Sequence, residues 1–121
     1  VPPVDVMSLS GAVAGESSET VRARVVAARG IQRQRFDDGQ VAAAVNSMLS
    51  LTEAEAVTML ARSARQLVER ATRQLGLSAR AYLRILRVAR SIADLEQTAG
   101  VSEAQVAEAI QGRLLDRDTG F

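Results

Sequence analysis

The sequence predicts an all-α fold, a bundle of four to five helices behind an extended N-terminal lead-in. Three observations carry that prediction. Apolar residues recur at spacings of three and four over most of the chain after residue 15, with no alternating strand pattern there. Serine or threonine stands where a helix N-cap belongs at three places, and two glycines stand where helices should end. The connections left between those signals are only a few residues long, which favours antiparallel neighbours.

Residues 1–15, VPPVDVMSLSGAVAG, hold both prolines, and the residue before each proline is pushed toward extended geometry. They are expected to form an extended connector leading into the helical domain of residues 16–121, as the continuation of a longer polypeptide. From Ser17 the pattern is helical: Glu16 and Glu19 lie near the positive end, and Val21, Val25, Ala28 and Ile31 make an apolar stripe that should run to about Phe36. Arg22, Arg29 and Arg33 fall on the other side. Asp37, Asp38 and Gly39 break the chain, and GQVAAAVNSML has room for one short helix.

Thr52 followed by Glu55 reads as a capping box, Ser78 as an N-cap, and Ser102 followed by Gln105 as a second box. Leu77 with Tyr82 and Val101 with Val106 can serve as hydrophobic staples, and Gly76 and Gly100 as left-handed C-terminal caps. The expected helices are 53–75, 79–97 and 103–115.

Composition removes many chemistries. The chain of 121 residues is the size of one domain, and it contains no cysteine and no histidine. Thiolate and imidazole metal sites and His-based acid–base work are therefore ruled out, and no metal is expected. All 15 basic residues are Arg. Without Lys there can be no Walker A loop and no Schiff base, so the chain is not a self-sufficient P-loop ATPase. No GxSxG elbow or Gly-rich phosphate loop is present. Glu53/Glu55, Asp37/Asp38 and Asp116/Asp118 are carboxylate pairs at helix starts and turns, where capping and solubility account for them. No apolar run approaches the roughly 20 residues that span a bilayer, and no basic region precedes an apolar core, so a cytoplasmic protein without membrane contact is expected.

The net charge of +1 hides an asymmetry: between Arg62 and Arg90 lie eight Arg and one acid, Glu69. On the helix beginning at Ala79, Ala81, Ile85, Val88, Ala89, Ile92 and Ala93 form a broad apolar face, and Arg80, Arg84, Arg87 and Arg90 lie opposite. For the last three a solvated surface with local pairing, such as Arg90 with Asp94, is the simpler expectation. Arg80 is different. In the first turn a guanidinium opposes the helix dipole at about 0.3–1 kcal/mol, and a bound phosphate would reverse that penalty. Aromatic content of 2 % supplies no stacking platform, so any contact with nucleic acid should go to phosphates and weaken with salt.

The run LGLSARAYLRILRVARSIADLE, followed by VSEAQVAEAIQGRLLDR, resembles the C-terminal helical lid of magnesium-chelatase-like AAA+ ATPases, in particular the ComM/YifB branch. VPPVD, LSG and GESSETVRARVVAARGIQRQRF extend the resemblance over nearly the whole chain, while DDGQVAAAVNSML departs from the family pattern. The resemblance implies a lid that closes on ATP and Mg2+ held by an AAA+ core outside this sequence, with no tight nucleotide binding by the lid alone. It implies a homo-oligomeric ring in the intact protein, and it implies that Arg80, in the SAR of LSAR, is the sensor 2 residue contacting the terminal phosphate. This branch resembles hexameric motors of DNA recombination and branch migration in competence, whereas other members are true magnesium-chelatase subunits. The alternative from the residues themselves is a helical module that binds nucleic acid or a partner protein, with Arg62, Arg65, Arg84 and Arg87 as its contacts.

Overall fold

The computed structural model describes the backbone of residues 16–118 and the side chains of residues 16–112; the expected connector of residues 1–15 lies outside the described residues. Five α-helices and one short 3-10 turn make up the described fold: α1 Ser18–Asp37, the turn Asn46–Met48, α2 Leu51–Thr58, α3 Arg62–Leu75, α4 Ala79–Leu95 and α5 Glu103–Asp118. The all-α expectation holds. Helix α4 is the hub, packing on α1, α2 and α5, while α3 packs on α5.

Local chemistry explains most of the boundaries. Ser17 Oγ accepts from the Thr20 N–H at 3.1 Å and starts α1. Ser78 Oγ does the same for Ala81 at the start of α4, at 3.1 Å. Ser102 and Gln105 form the expected reciprocal box before α5. Gly76, at φ 61°, ends α3 in the left-handed conformation.

Three expectations are corrected. The predicted helix 53–75 is two helices, because Met59 turns left-handed at φ 52° and Leu60 pairs with Val101 in an isolated parallel bridge. Val101 N–H donates to Met59 O at 3.0 Å, and Ala61 N–H donates to Val101 O at 2.9 Å. No Gly or Pro marks this break; a segment some 40 residues further on makes it. The capping box of α2 is Ser50 with Glu53 rather than Thr52 with Glu55, and the same Glu53 carboxylate also takes the Ala42 N–H at 2.6 Å. Gln97, at φ 58°, is the left-handed residue after α4, where Gly100 was expected. Its turn is closed by Thr98 N–H to Ala93 O at 2.9 Å and Gln97 N–H to Asp94 O at 3.1 Å. Gly100 has another reason to be glycine: a Cβ there would sit 3.2 Å from Met59 O, at the bridge.

Two apolar clusters flank α4. Ala64 and Val68 of α3, Ile85, Ala89 and Ala93 of α4, and Val101, Val106 and Ala109 form the larger. Val41, Leu49, Ala54, Val57 and Leu86 form the smaller. The staple residues Leu77 and Tyr82 pack on the larger cluster, as do Leu60, Leu67, Ile92 and Ile110.

A buried polar cluster joins these pieces, and it overturns the solvated reading of Arg90, which is 2 % exposed. Its Nε donates to Asp94 Oδ1 at 3.1 Å, Nη1 to Val57 O at 3.1 Å and Ala99 O at 2.8 Å, and Nη2 to Thr98 O at 2.8 Å. Burial lowers the Arg90 pKa from its ordinary value, and Asp94 opposes that shift. Arg35 of α1 reaches the same carboxylate through both terminal nitrogens, at 2.8 and 3.3 Å. Asn46, from the loop before α2, donates to Asp94 Oδ2 at 2.8 Å and accepts from Arg35 at 3.2 Å.

Two predictions follow from these contacts. Asp94→Ala leaves two guanidiniums facing each other without their anion, so urea denaturation should show a loss of about 3–5 kcal/mol; a loss below about 1 kcal/mol would mean the cluster is no constraint. The Glu53 pKa is lowered by the Ser50 and then the Ala42 backbone N–H groups. That stabilisation is present above the ordinary carboxylate range and is lost as pH falls through the lowered pKa. Amide exchange at Ala42 and Ser50 should accelerate over that acid window in the parent chain and lose the dependence in Glu53→Gln.

Candidate phosphate-contact surface at the start of helix α4

Helix α4 begins with Ala79 and Arg80 as its first two helical residues, behind the Ser78 cap. The cap hydroxyl satisfies Ala81, and Tyr82 N–H returns to Ser78 O at 2.9 Å. No acceptor among the described residues takes the Ala79 or Arg80 N–H, so the positive end of the dipole stays open. The Arg80 side chain is exposed and makes no hydrogen bond or ion pair within the described residues.

Beside this terminus runs a groove of about 570 Å3 between α3 and α4. Leu60, Val68, Leu77 and Tyr82 give it an apolar floor, and Arg65, Arg73, Glu69 and Ser78 its polar rim. Tyr82 Oη donates to Glu55 Oε2 at 3.2 Å, which ties the start of α4 to α2. Burial raises the Tyr82 pKa, and the Glu55 charge adds to the rise. The groove therefore combines a flat apolar surface, an open helix terminus and two guanidiniums. Those are the chemical parts that a phosphorylated ligand with an organic body would meet, and the residues fit such a group.

The other expected contacts separate. Arg62 and Arg65 are exposed on α3, and Arg65 reaches the groove rim. Arg87 is turned inward, its Nε donating to Leu49 O at 2.9 Å and its Nη2 to the same oxygen. Arg84 is exposed and also has a partner within the fold. Arg84 and Arg87 instead border a shallow apolar surface with Ser47, Val88, Ile92 and Leu95. Sequence reasoning passed over Arg70 and Arg73, which share the outer face of α3; their spacing from Arg62 and from each other was the available signal. Among the described residues no group of acidic side chains could hold a metal ion. No helix of the described residues is long and apolar enough to cross a membrane.

Residues 15–113 match the family described as magnesium chelatase, subunit ChlI C-terminal. The chain belongs to that family. Among individual members of known sequence, it is 36 % identical over 117 residues to the uncharacterized protein YifB of Escherichia coli, which covers 97 % of the chain. It is 38 % identical over 103 residues to the competence protein ComM of Haemophilus influenzae, covering 85 % of the chain. The chain spans about a fifth of the length of these relatives. No solved structure gives a significant match. As a magnesium-chelatase C-terminal domain of the ComM/YifB kind, the chain matches its family from α1 through most of α5, the start of α4 included.

Because the chain has a single tyrosine, its ionisation is a clean probe of the groove. Absorbance titration should place the Tyr82 midpoint above the ordinary phenol value, with the associated stability present below that value and lost as pH rises. Glu55→Gln should bring the midpoint back down, and no change would mean that α2 does not hold Tyr82 in solution.

Proposed function

We propose that this domain is the lid of a magnesium-chelatase-like AAA+ ATPase, closing on ATP and Mg2+ held by a core outside this sequence, and that Arg80 contacts the terminal phosphate. The observation that carries the reading is the state of Arg80. Arg35, Arg87 and Arg90 are committed to acceptors inside the fold, whereas Arg80 stands unpaired on an open helix terminus that it destabilises. A cation kept there against the local field is explained by an anion that arrives from outside.

The chain's own part in turnover would be positional and electrostatic. Arg80 and the free N–H groups of Ala79 and Arg80 would stabilise negative charge on the phosphate, and the apolar groove floor would exclude water beside it. In this reading hydrolysis takes place in the core, and the lid has a positioning and charge-stabilising part. Similarity to a protein named for competence, together with the basic outer surface, supports placing the parent protein among DNA-processing motors that assemble as homo-oligomeric rings in the cytoplasm.

Replacing Arg80 by alanine in a protein carrying both core and lid should lower ATP turnover by about 10²-fold, the effect of losing one preorganised donor to developing charge. The same change should raise the stability of the isolated domain by about 0.3–1 kcal/mol, because it removes a cation from a helix N-terminus. Unchanged turnover with unchanged nucleotide affinity would reject the assignment.

A further inference from the structure

The outer face of α3 gathers four exposed guanidiniums on one helix. Arg62, Arg65, Arg70 and Arg73 are all exposed, and none makes a hydrogen bond or ion pair with another described residue. At about 100° per residue, Arg62, Arg70 and Arg73 lie within roughly 80° of one another around the helix, with Arg65 about 60° to the other side. From Arg62 to Arg73 the rise is about 16 Å. Glu69 is the only acid on the helix. On α1, Arg24 is paired with Glu16 and Arg33 with Asp37, which leaves Arg22 and Arg29 as its exposed guanidiniums without a partner among the described residues.

What the face lacks decides its partner. The exposed large apolar residues are Val21, Val26, Phe36, Val45, Met48, Leu51, Met59, Leu75 and Val88, and none stands between Arg62 and Arg73. A protein interface is anchored by aromatic or aliphatic groups that bury in pockets; the face carries no such side chain of its own, and the apolar groove lies at its edge, where Arg65 and Arg73 border it. A single strand would need aromatic platforms for its bases. Phe36 is on α1 beneath Arg33, and Tyr82 is half-buried in the groove. A duplex shows mainly phosphates, and guanidiniums pair with phosphates through two parallel N–H groups.

We infer that the exposed face of α3 bearing Arg62, Arg65, Arg70 and Arg73 is a contact for the phosphodiester backbone of a nucleic-acid duplex. The contact reads no sequence, since it has no group that reaches base edges in a defined geometry. It gives the lid a hold on the duplex of its own, separate from anything the ATPase core does. The inference deepens the DNA-processing part of the reading above and does not depend on its nucleotide part. Arg62 and Arg70 lie away from the groove rim, so they can be changed without touching the residues assigned to nucleotide.

The test is fluorescence anisotropy of a short labelled DNA duplex of mixed sequence, titrated with the chain over about 50–200 mM salt. Four phosphate contacts predict a slope of log K against log salt of about −3.6. Arg62→Ala with Arg70→Ala should reduce that slope to about −1.8, and changing all four should bring it near zero. Alanine favours helix at exposed positions, and an unchanged far-ultraviolet spectrum would establish that the variants fold. Arg22→Ala on α1 should leave the slope as it was. A slope left unchanged by loss of Arg62 and Arg70, or salt-independent binding by the parent chain, would overturn the inference. So would displacement of the duplex by polyglutamate as readily as by unlabelled duplex, since the face would then be a site for acidic proteins. Failure of Arg80→Ala to alter turnover would leave these slopes unaffected, so the two readings fail separately.

Discussion

Burying one guanidinium organises this fold. Arg90 cannot leave water unless every one of its donors finds an acceptor, and a carboxylate alone cannot supply them all. Asp94, one turn along the same helix, takes Nε; the remainder go to Val57 O, Ala99 O and Thr98 O. Val57 closes α2 and the other two lie in the turn after α4, so a single side chain fixes where two helices end. The carbonyls at the end of α2 also bear the negative end of its dipole, which offsets part of the excess charge of two guanidiniums around one carboxylate. Arg35 and Asn46 then bring α1 and the loop before α2 to the same anion.

A buried ion pair does not by itself stabilise a protein, and apolar replacements of similar volume are often neutral or better. The argument changes here because the guanidinium serves carbonyls that have no other donor. An apolar side chain in place of Arg90 would leave the buried Val57 O without this donor, at about 1–3 kcal/mol, and would release the Thr98 and Ala99 carbonyls of the exposed turn after α4. The cluster thus specifies geometry as well as holding charge: the Met59 break, the Leu60 to Val101 bridge and the turn at Gln97 all surround its acceptors.

That dependence explains what could be read from the sequence. Signals whose partners lie within four residues were legible: the Ser78 cap, the Ser102 and Gln105 box, the Gly76 terminator and the periodicity of α4. The start of α2 was ambiguous because Ser50 with Glu53 and Thr52 with Glu55 both satisfy the box, and the distant Ala42 N–H favours the first. The break between α2 and α3 was invisible because its cause is Val101 and Arg90. Arg90 itself looked solvated because a helical projection shows which residues share a side and not which sides are covered. Arg80 was legible as an anomaly because a helix start is a local feature, whereas the commitment of Arg87 to Leu49 O could be found only in three dimensions.

The absence of lysine takes on different meanings at different positions. At Arg90 five donors in a rigid plane are required, and an ammonium could not reach the carbonyls of two separate turns together with a carboxylate. At Arg35 two parallel bonds to one carboxylate impose the same requirement. On the outer face of α3 a point charge would also neutralise a phosphate, so the demand for a planar fork is weaker there than inside the bundle. At Arg80 the choice returns to geometry if the ligand is a terminal phosphate, because a planar fork can hold two of its oxygens while the helix N–H groups hold another. The same letter therefore stands for a structural clamp inside the bundle, for the proposed directional contact at its open helix end, and for a positive field on its outer face.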